Sequence, residues 1–264
     1  MGLFIWDVEP SKIFLGDTPI SKVFLWDTQI RPSWPDKDYL CFTAEQANST
    51  VKLVKSWSPT SVNIETSTDW RTWSDYTFWT NINLSSVWDK VYFRNKSETP
   101  TGFSTATNQY YYFSAVGKVA WSGDVNFLLS KNSTTTLVWD YCFYRLFYLC
   151  TKLTSAPSLP ATTITKYCYY EMFRDCTNLI TVPRLPATSM KNYCYANMLQ
   201  WCSQLKLSST ETSDYTQAYR LPTTWTWATA TSWNNLMFRS TWWTFTSNPT
   251  INTTYYVHKD NTIV

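Results

Sequence analysis

The chain is 264 residues long, 44% hydrophobic and 16% charged, with a formal net charge of +3. That length and apolar content bury a substantial core and exclude a disordered chain. Lysine and arginine form no runs, which argues against a nucleic-acid partner, and no apolar stretch reaches the roughly 18 residues of a membrane-spanning helix, so no membrane insertion is expected.

The first element is an N-terminal β arm over residues 1–35. Phe4-Ile5-Trp6-Asp7, Phe14-Leu15-Gly16-Asp17 and Phe24-Leu25-Trp26-Asp27 recur every ten residues, with Ser11-Lys12 and Ser21-Lys22 in the same register. Short strands joined by tight turns are expected there. Met1 to Pro10 carries neither the basic start nor the apolar core of a secretory signal, so none is expected. The arm is similar to the opening segments of some phage structural proteins, which implies a virion component and a homo-oligomer, a trimer, formed through residues 1–35.

Glycine tolerates a left-handed backbone and tryptophan is the bulkiest residue, so the exchange of Gly16 for Trp6 and Trp26 within one repeat is anomalous. Asp69-Trp70-Arg71-Thr72-Trp73 reads as a turn with glycine at 70, and Val87-Trp88-Asp89-Lys90 as a turn before a strand. Glycine occurs 5 times and tryptophan 16 times. Keeping only Trp73 and Trp233 as tryptophan would return glycine to about 7%, its ordinary share. These observations point to an alternative genetic code, in which a UGA codon read here as tryptophan is glycine in the source. Trp6, Trp26, Trp70, Trp88, Trp201, Trp242 and Trp243 would then be glycine natively. UGG codons at Trp6, Trp26, Trp70 and Trp88 would exclude this, leaving a tryptophan-rich surface as the alternative.

Residues 36–118 alternate apolar and polar positions in short runs between turn signals, as β-sandwich domains do. The expected strands hold Tyr39 to Phe42, Val51 to Val54, Val62 to Glu65, Tyr76 to Phe78, Ile82 to Leu84, Val91 to Phe93 and Tyr110 to Phe113. Asp69 to Trp73 is read as a hairpin turn with Trp73 packed inward. An entry cap follows over Trp121 to Leu137, with Val125 to Leu129 its apolar segment, because the first open edge of a repeat array needs covering.

The strongest signal is a 26-residue unit beginning at Tyr141-Cys142, Tyr167-Cys168 and Tyr193-Cys194. A fixed period of that length marks units that stack to bury their apolar faces. In the middle copy Cys168, Met172, Cys176 and Leu179 lie four, four and three apart, which predicts a short helix with one apolar face. Ser155 to Pro160 and Thr181 to Pro186 suit short rung or edge strands. The motif residues Leu146-Phe147-Cys150-Leu153, Met172-Phe173-Cys176-Leu179 and Met198-Leu199-Cys202-Leu205 resemble the leucine-rich repeats of the BspA-like surface protein family over residues 141–207. In that family glycine commonly precedes the repeat cysteine, where Trp201 stands. An indole at Trp201 with no room beside Cys202 would favour the recoding, and a well-packed one would oppose it.

Helical geometry separates the cysteines of one copy by about 12 Å, beyond the reach of a disulfide, and metal-binding spacing is absent. Cys142, Cys150, Cys168, Cys176, Cys194 and Cys202 therefore read as buried thiols stacked copy upon copy, or as disulfides between copies. Residues 119–207 form the array with its entry cap. Residues 208–264 form a C-terminal cap, whose run Ile251 to Val257 closes the far end as a terminal strand.

Catalysis has little to build on. His258, the only histidine, reads as a solvated tail residue beside Lys259 and Asp260. Glu171 and Asp175 read as a solvated helix face, and no phosphate-cradling loop, cofactor motif or metal cluster is present. The expectation is a mainly β protein with short helices, not an enzyme. It would serve as a structural or adhesion protein of a virion or the extracellular cell surface, recognising a protein or cell-surface glycan through its repeats. Ser158, Thr181 and Arg184 on the repeat strands are the candidate contact residues, since repeat proteins build binding surfaces from such faces. A bacterial surface adhesin is the alternative, and a carbohydrate-active hydrolase or its accessory domain a second one.

Overall fold

The computed structural model describes residues 37–56, 62–221, 236–241, 249 and 253–264, together with four short strands in the arm. The arm, residues 1–38, and residues 39–264 are separate compact units. In the arm, β1 (Ile13–Leu15) pairs antiparallel with β2 (Thr18–Ile20), and β3 (Phe24–Leu25) with β4 (Thr28–Gln29). The two hairpins share one register, Leu15 facing Thr18 and Leu25 facing Thr28, as the ten-residue repeat requires.

The second unit begins as two facing antiparallel sheets. Its strands are β5 (Leu40–Ala44), β6 (Ser49–Lys55), β7 (Ile64–Ser67), β8 (Ser74–Asp75), β9 (Ile82–Leu84), β10 (Lys90–Asn95), β11 (Tyr111–Val116) and β12 (Val119–Ser122). One sheet has the order β12-β5-β10-β7-β8 and the other β11-β6-β9. Alternation places Leu40, Phe42, Val91 and Phe93 of the first sheet and Val51, Leu53 and Phe113 of the second in the core. Phe42 and Phe93 each meet Phe113 edge-on at 5.1 Å between ring centroids. The expected strand at Tyr76 to Phe78 is instead a turn. Thr80 N–H closes onto Thr77 O, and the Tyr76 hydroxyl donates to Thr80 O at 2.7 Å while accepting from Leu53 N–H at 2.9 Å.

The 26-residue copies lie one upon another, but they are not helical. In copy one the N–H groups of Tyr141, Phe143, Arg145, Phe147 and Leu149 donate to the carbonyls of Lys166, just before copy two, and of Cys168, Tyr170, Met172 and Arg174 within it. The alternate N–H groups, at Tyr144, Leu146, Tyr148 and Cys150, turn back onto the carbonyl three residues earlier. Copy two repeats the whole pattern, and copy three repeats the turn-back bonds at Ala196, Met198, Gln200 and Cys202. Every fourth residue takes a left-handed backbone: Tyr141, Arg145 and Leu149, then Tyr167, Glu171 and Asp175, then Tyr193, Asn197 and Trp201. The result is a ribbon of successive turns that pairs with its neighbours as a strand would. Its four-residue period imitates the 3.6 of a helix over a span this short. Among the described residues the only helical element is a 3₁₀ turn at Val125–Leu128, capped by Asp124, whose carboxylate accepts from Asn126 N–H at 2.7 Å.

A fourth rung follows. Leu199 and Trp201 donate N–H to Met237 and Arg239 carbonyls, and Leu236 and Ser240 are left-handed, which aligns Leu236 to Thr241 with Asn197 to Cys202. The strands β13 (Thr181–Val182), β14 (Leu207–Ser208), β15 (Tyr215–Arg220), β16 (Thr254–His258) and β17 (Thr262–Ile263) complete the unit. β16 lies between β14 and β15, whereas β17 pairs in parallel with β13 beside the second copy. β17 therefore covers the edge of β13 at copy two.

The facing sheets and the stacked copies meet without a break at residue 118, within one compact unit. β12 belongs to the five-stranded sheet through Trp121 opposite Phe42, and its Val119 also bridges to Leu153 of copy one. Phe113 N–H donates to Leu146 O and Ser104 N–H to Cys142 O, so the facing sheets bond directly to the first copy. Two aromatic columns run through the shared core: Phe113, Phe147 and Phe173, then Phe103, Phe143, Tyr169 and Tyr195.

Candidate recognition surface

The cysteines belong to the core. All seven are free and buried. Cys176 and Cys202 each donate S–H to the preceding copy, at Phe147 O (3.1 Å) and Phe173 O (3.0 Å). Burial pushes the thiols of Cys142, Cys150 and Cys194 up to about 12. These are packed hydrophobes with a weak donor, stacked copy on copy as the spacing implied.

The proposed strand-side contacts do not assemble into an accessible face. Thr181 is buried, its hydroxyl accepting from Ala156 N–H at 2.6 Å. Ser158 is half-buried with its hydroxyl donating to Gly123 O at 3.0 Å. Arg184 is exposed, and its N–H donates to Val264 O at 2.7 Å. Placing the strand edge against β17 is what takes Thr181 out of solvent.

His258 is not a solvated tail residue. It ends β16, its side chain is 13% exposed, and the Tyr215 ring meets it edge-on. Asp260 N–H donates to His258 Nδ1 at 3.1 Å, and the Asp260 carboxylate lies 3.2 Å from the same nitrogen. The Glu171 carboxylate, with its side chain 3% exposed, is also not on a solvated face. It accepts from Arg145 Nε at 2.6 Å and Arg174 Nη1 at 2.7 Å. A carboxylate held by two arginines from two copies is a structural tie between those copies.

The turn side of the stack is richer. Tyr141, Tyr167 and Tyr193 form a half-buried column, stacked at 4.7 and 4.9 Å with nearly parallel rings. A second column, Tyr144 over Tyr170 at 5.3 Å, lies beside it. Where copy one meets β11, a groove of about 210 Å³ is lined by Tyr110, Tyr112, Tyr148 and Leu149. The Arg145 guanidinium lies 5.8 Å from the Tyr110 ring, 5.1 Å from Tyr144 and 5.0 Å from Tyr148. Leu149 and Trp201, the same position in copies one and three, are 56% and 42% exposed. Tyrosines and an arginine around a shallow groove provide flat apolar faces with donors at their rims, the chemistry of sugar and peptide recognition. Sequence reasoning read Tyr110 to Tyr112 only as a strand. Its alternation sends Tyr111 to the core and leaves Tyr110 and Tyr112 outside.

Trp201 has room. Its indole is at the surface, with the Arg174 guanidinium 5.4 Å from the ring. On the criterion of crowding beside Cys202, the recoding finds no support at this position. Trp6, Trp26, Trp233, Trp242 and Trp243 lie outside the described residues. No described helix is long and apolar enough to cross a membrane. Neither a protein-family model, nor a curated protein, nor a solved structure matches this chain.

Proposed function

We propose that the chain is a non-enzymatic structural or adhesion protein of a virion or cell surface, recognising a protein or cell-surface glycan through the turn side of its stacked copies. The observation that carries this reading is the groove of Tyr110, Tyr112, Tyr148 and Leu149 beside Arg145. The finer architecture that accompanies it is a short solenoid similar to the BspA-like leucine-rich repeats, with a β-sandwich at one end. The 26-residue hydrogen-bond register and the stacked thiols support that likeness.

Binding of the full chain to a glycan panel and to cell-surface protein extracts tests it. Tyr112→Ala and Tyr148→Ala should weaken capture of the bound glycan or protein about tenfold each, as loss of an aromatic contact does, with the circular dichroism spectrum unchanged. Undiminished binding by both variants would remove the groove from the reading, and cleavage of a panel glycan would overturn the non-enzymatic one. Sedimentation distinguishes the settings: a trimer lost on deleting residues 1–35 supports the virion protein, and a monomer supports the bacterial adhesin.

A further inference from the structure

Outside the stacked copies, five described residues other than glycine have a left-handed backbone: Asn48, Ser133, Trp70, Trp79 and Trp88. Asparagine visits that region readily because its side chain bonds locally, and bulky side chains almost never do. Three of the five are nonetheless tryptophan. Within the stack, a ladder of bonds to neighbouring copies holds the left-handed positions, so Trp201 shares its backbone with Leu149 and Asp175 and carries no weight here. No such ladder surrounds the other three.

Two of them occupy a defined turn position. Asp89 N–H closes onto Ser86 O and Thr80 N–H onto Thr77 O, so Trp88 and Trp79 are each the third residue of a four-residue turn. Turns of types II and I′ need positive φ there, which glycine supplies without strain. Trp79 and Trp88 have φ of 73° and 75°, beside 77° and 78° at Gly117 and Gly123. Their own N–H groups donate to Leu53 O and Ala44 O, which fixes the backbone from the strand side. The indoles bring little packing in return, being 56% and 72% exposed. Trp70, with φ of 53°, follows Asp69, whose carboxylate accepts the N–H groups of Arg71 and Thr72 at 2.9 and 2.7 Å.

Trp73 behaves differently. It packs against Tyr39 at 5.0 Å, lies 3.9 Å from the Arg94 guanidinium and donates Nε1–H to Trp70 O, with no left-handed backbone. Trp121 is likewise a core residue with a right-handed or extended backbone, so restoring glycine at every tryptophan but two reaches further than the backbone does. The arm adds an independent comparison: in two hairpins of identical register, the residue after β1 is Gly16 and the residue after β3 is Trp26.

We infer that Trp70, Trp79 and Trp88 are glycine in the protein as its native host makes it, encoded by UGA, and that Trp73 is tryptophan. The chain then depends on a translational partner of stated chemistry, a glycine-charged tRNA that reads UGA. The turn residues would be correct only in a cell that has one. A cell inserting tryptophan there produces a protein strained at three turns.

Peptide mass spectrometry of the protein from its native source, beside the gene sequence, is the deciding experiment. Glycine at 70, 79 and 88 from UGA codons with tryptophan at 73 is expected, and tryptophan at 70, 79 and 88, or UGG codons there, would overturn the inference. A second measurement uses the recombinant chain. Trp70→Gly, Trp79→Gly and Trp88→Gly should each lower the unfolding constant roughly tenfold, equivalent to about 1.4 kcal/mol, as removal of left-handed strain does. A triple variant no more stable than the parent would overturn the claim that these backbones suit glycine.

Discussion

Phe147→Ala probes whether sandwich and array are one cooperative body. The Phe147 ring is fully buried, stacked on Phe113 at 5.7 Å and Phe173 at 5.2 Å and met edge-on by Trp121 at 4.3 Å. Its removal opens a cavity at the seam and interrupts the aromatic column on both sides. Truncating a buried phenylalanine costs about 3–5 kcal/mol, and three aromatic neighbours place this site near 4 kcal/mol. Urea unfolding followed by far-ultraviolet circular dichroism and by tryptophan emission should show both transitions moving together to a lower midpoint. A loss under about 1 kcal/mol, or a shift in one probe alone, would refute the shared core.

Two further outcomes follow from the interior. Burial raises the Cys142, Cys150 and Cys194 thiols to about 12 and Cys41 to about 11, while an unfolded chain releases those protons near 8.5. Because the folded values are the higher ones, stability is whole below about pH 8.5 and is lost as pH rises from there toward 12, each thiol adding a slope of about 1.4 kcal/mol per pH unit. Unfolding midpoints in anaerobic buffer should therefore fall steeply from pH 9 to 11, and a flat profile would refute the buried ladder. Glu171→Ala leaves Arg145 and Arg174 facing each other without their carboxylate. With Glu171 almost wholly buried and the arginines about a quarter exposed, the cost is about 3 kcal/mol by chemical denaturation, and a loss under about 1 kcal/mol would show that the tie contributes little.

The sandwich strands were legible because period-two alternation survives without knowledge of partners, as at Val51, Leu53 and Val91, Phe93. The repeat was legible because its period is fixed. Its local conformation was not: inward pairs such as Cys168-Tyr169 and Met172-Phe173 recur every four residues, and across so few turns that is indistinguishable from an amphipathic helix. Only the left-handed residue at each fourth position tells them apart, and tyrosine, glutamate and aspartate there give no hint of it. The fourth rung escaped notice because an insertion broke the period, although Met172-Phe173-Arg174 and Met237-Phe238-Arg239 share a triplet. The tyrosine groove arises where β11 meets copy one, a juxtaposition with no local signature.

The same four-residue period explains why the turn side is the surface to test. Each copy has three left-handed positions. The first is tyrosine in copies one to three and builds the outer stack. The second includes Arg145 and the buried Glu171, joined by an ion pair between copies. The third is Leu149, Asp175, Trp201 and, in the fourth rung, Ser240, which differ in size, charge and polarity. Leu149, Trp201 and Ser240 are exposed. A position that is structurally equivalent in every rung, accessible in most and chemically different in each can vary without disturbing the ladder beneath it. The strand side lacks that freedom, since β12 and β17 flank its short strands and Thr181 lies buried between them. The recognition proposed for the third left-handed column and the adjoining tyrosine groove would therefore use a described surface that the fold leaves free to change.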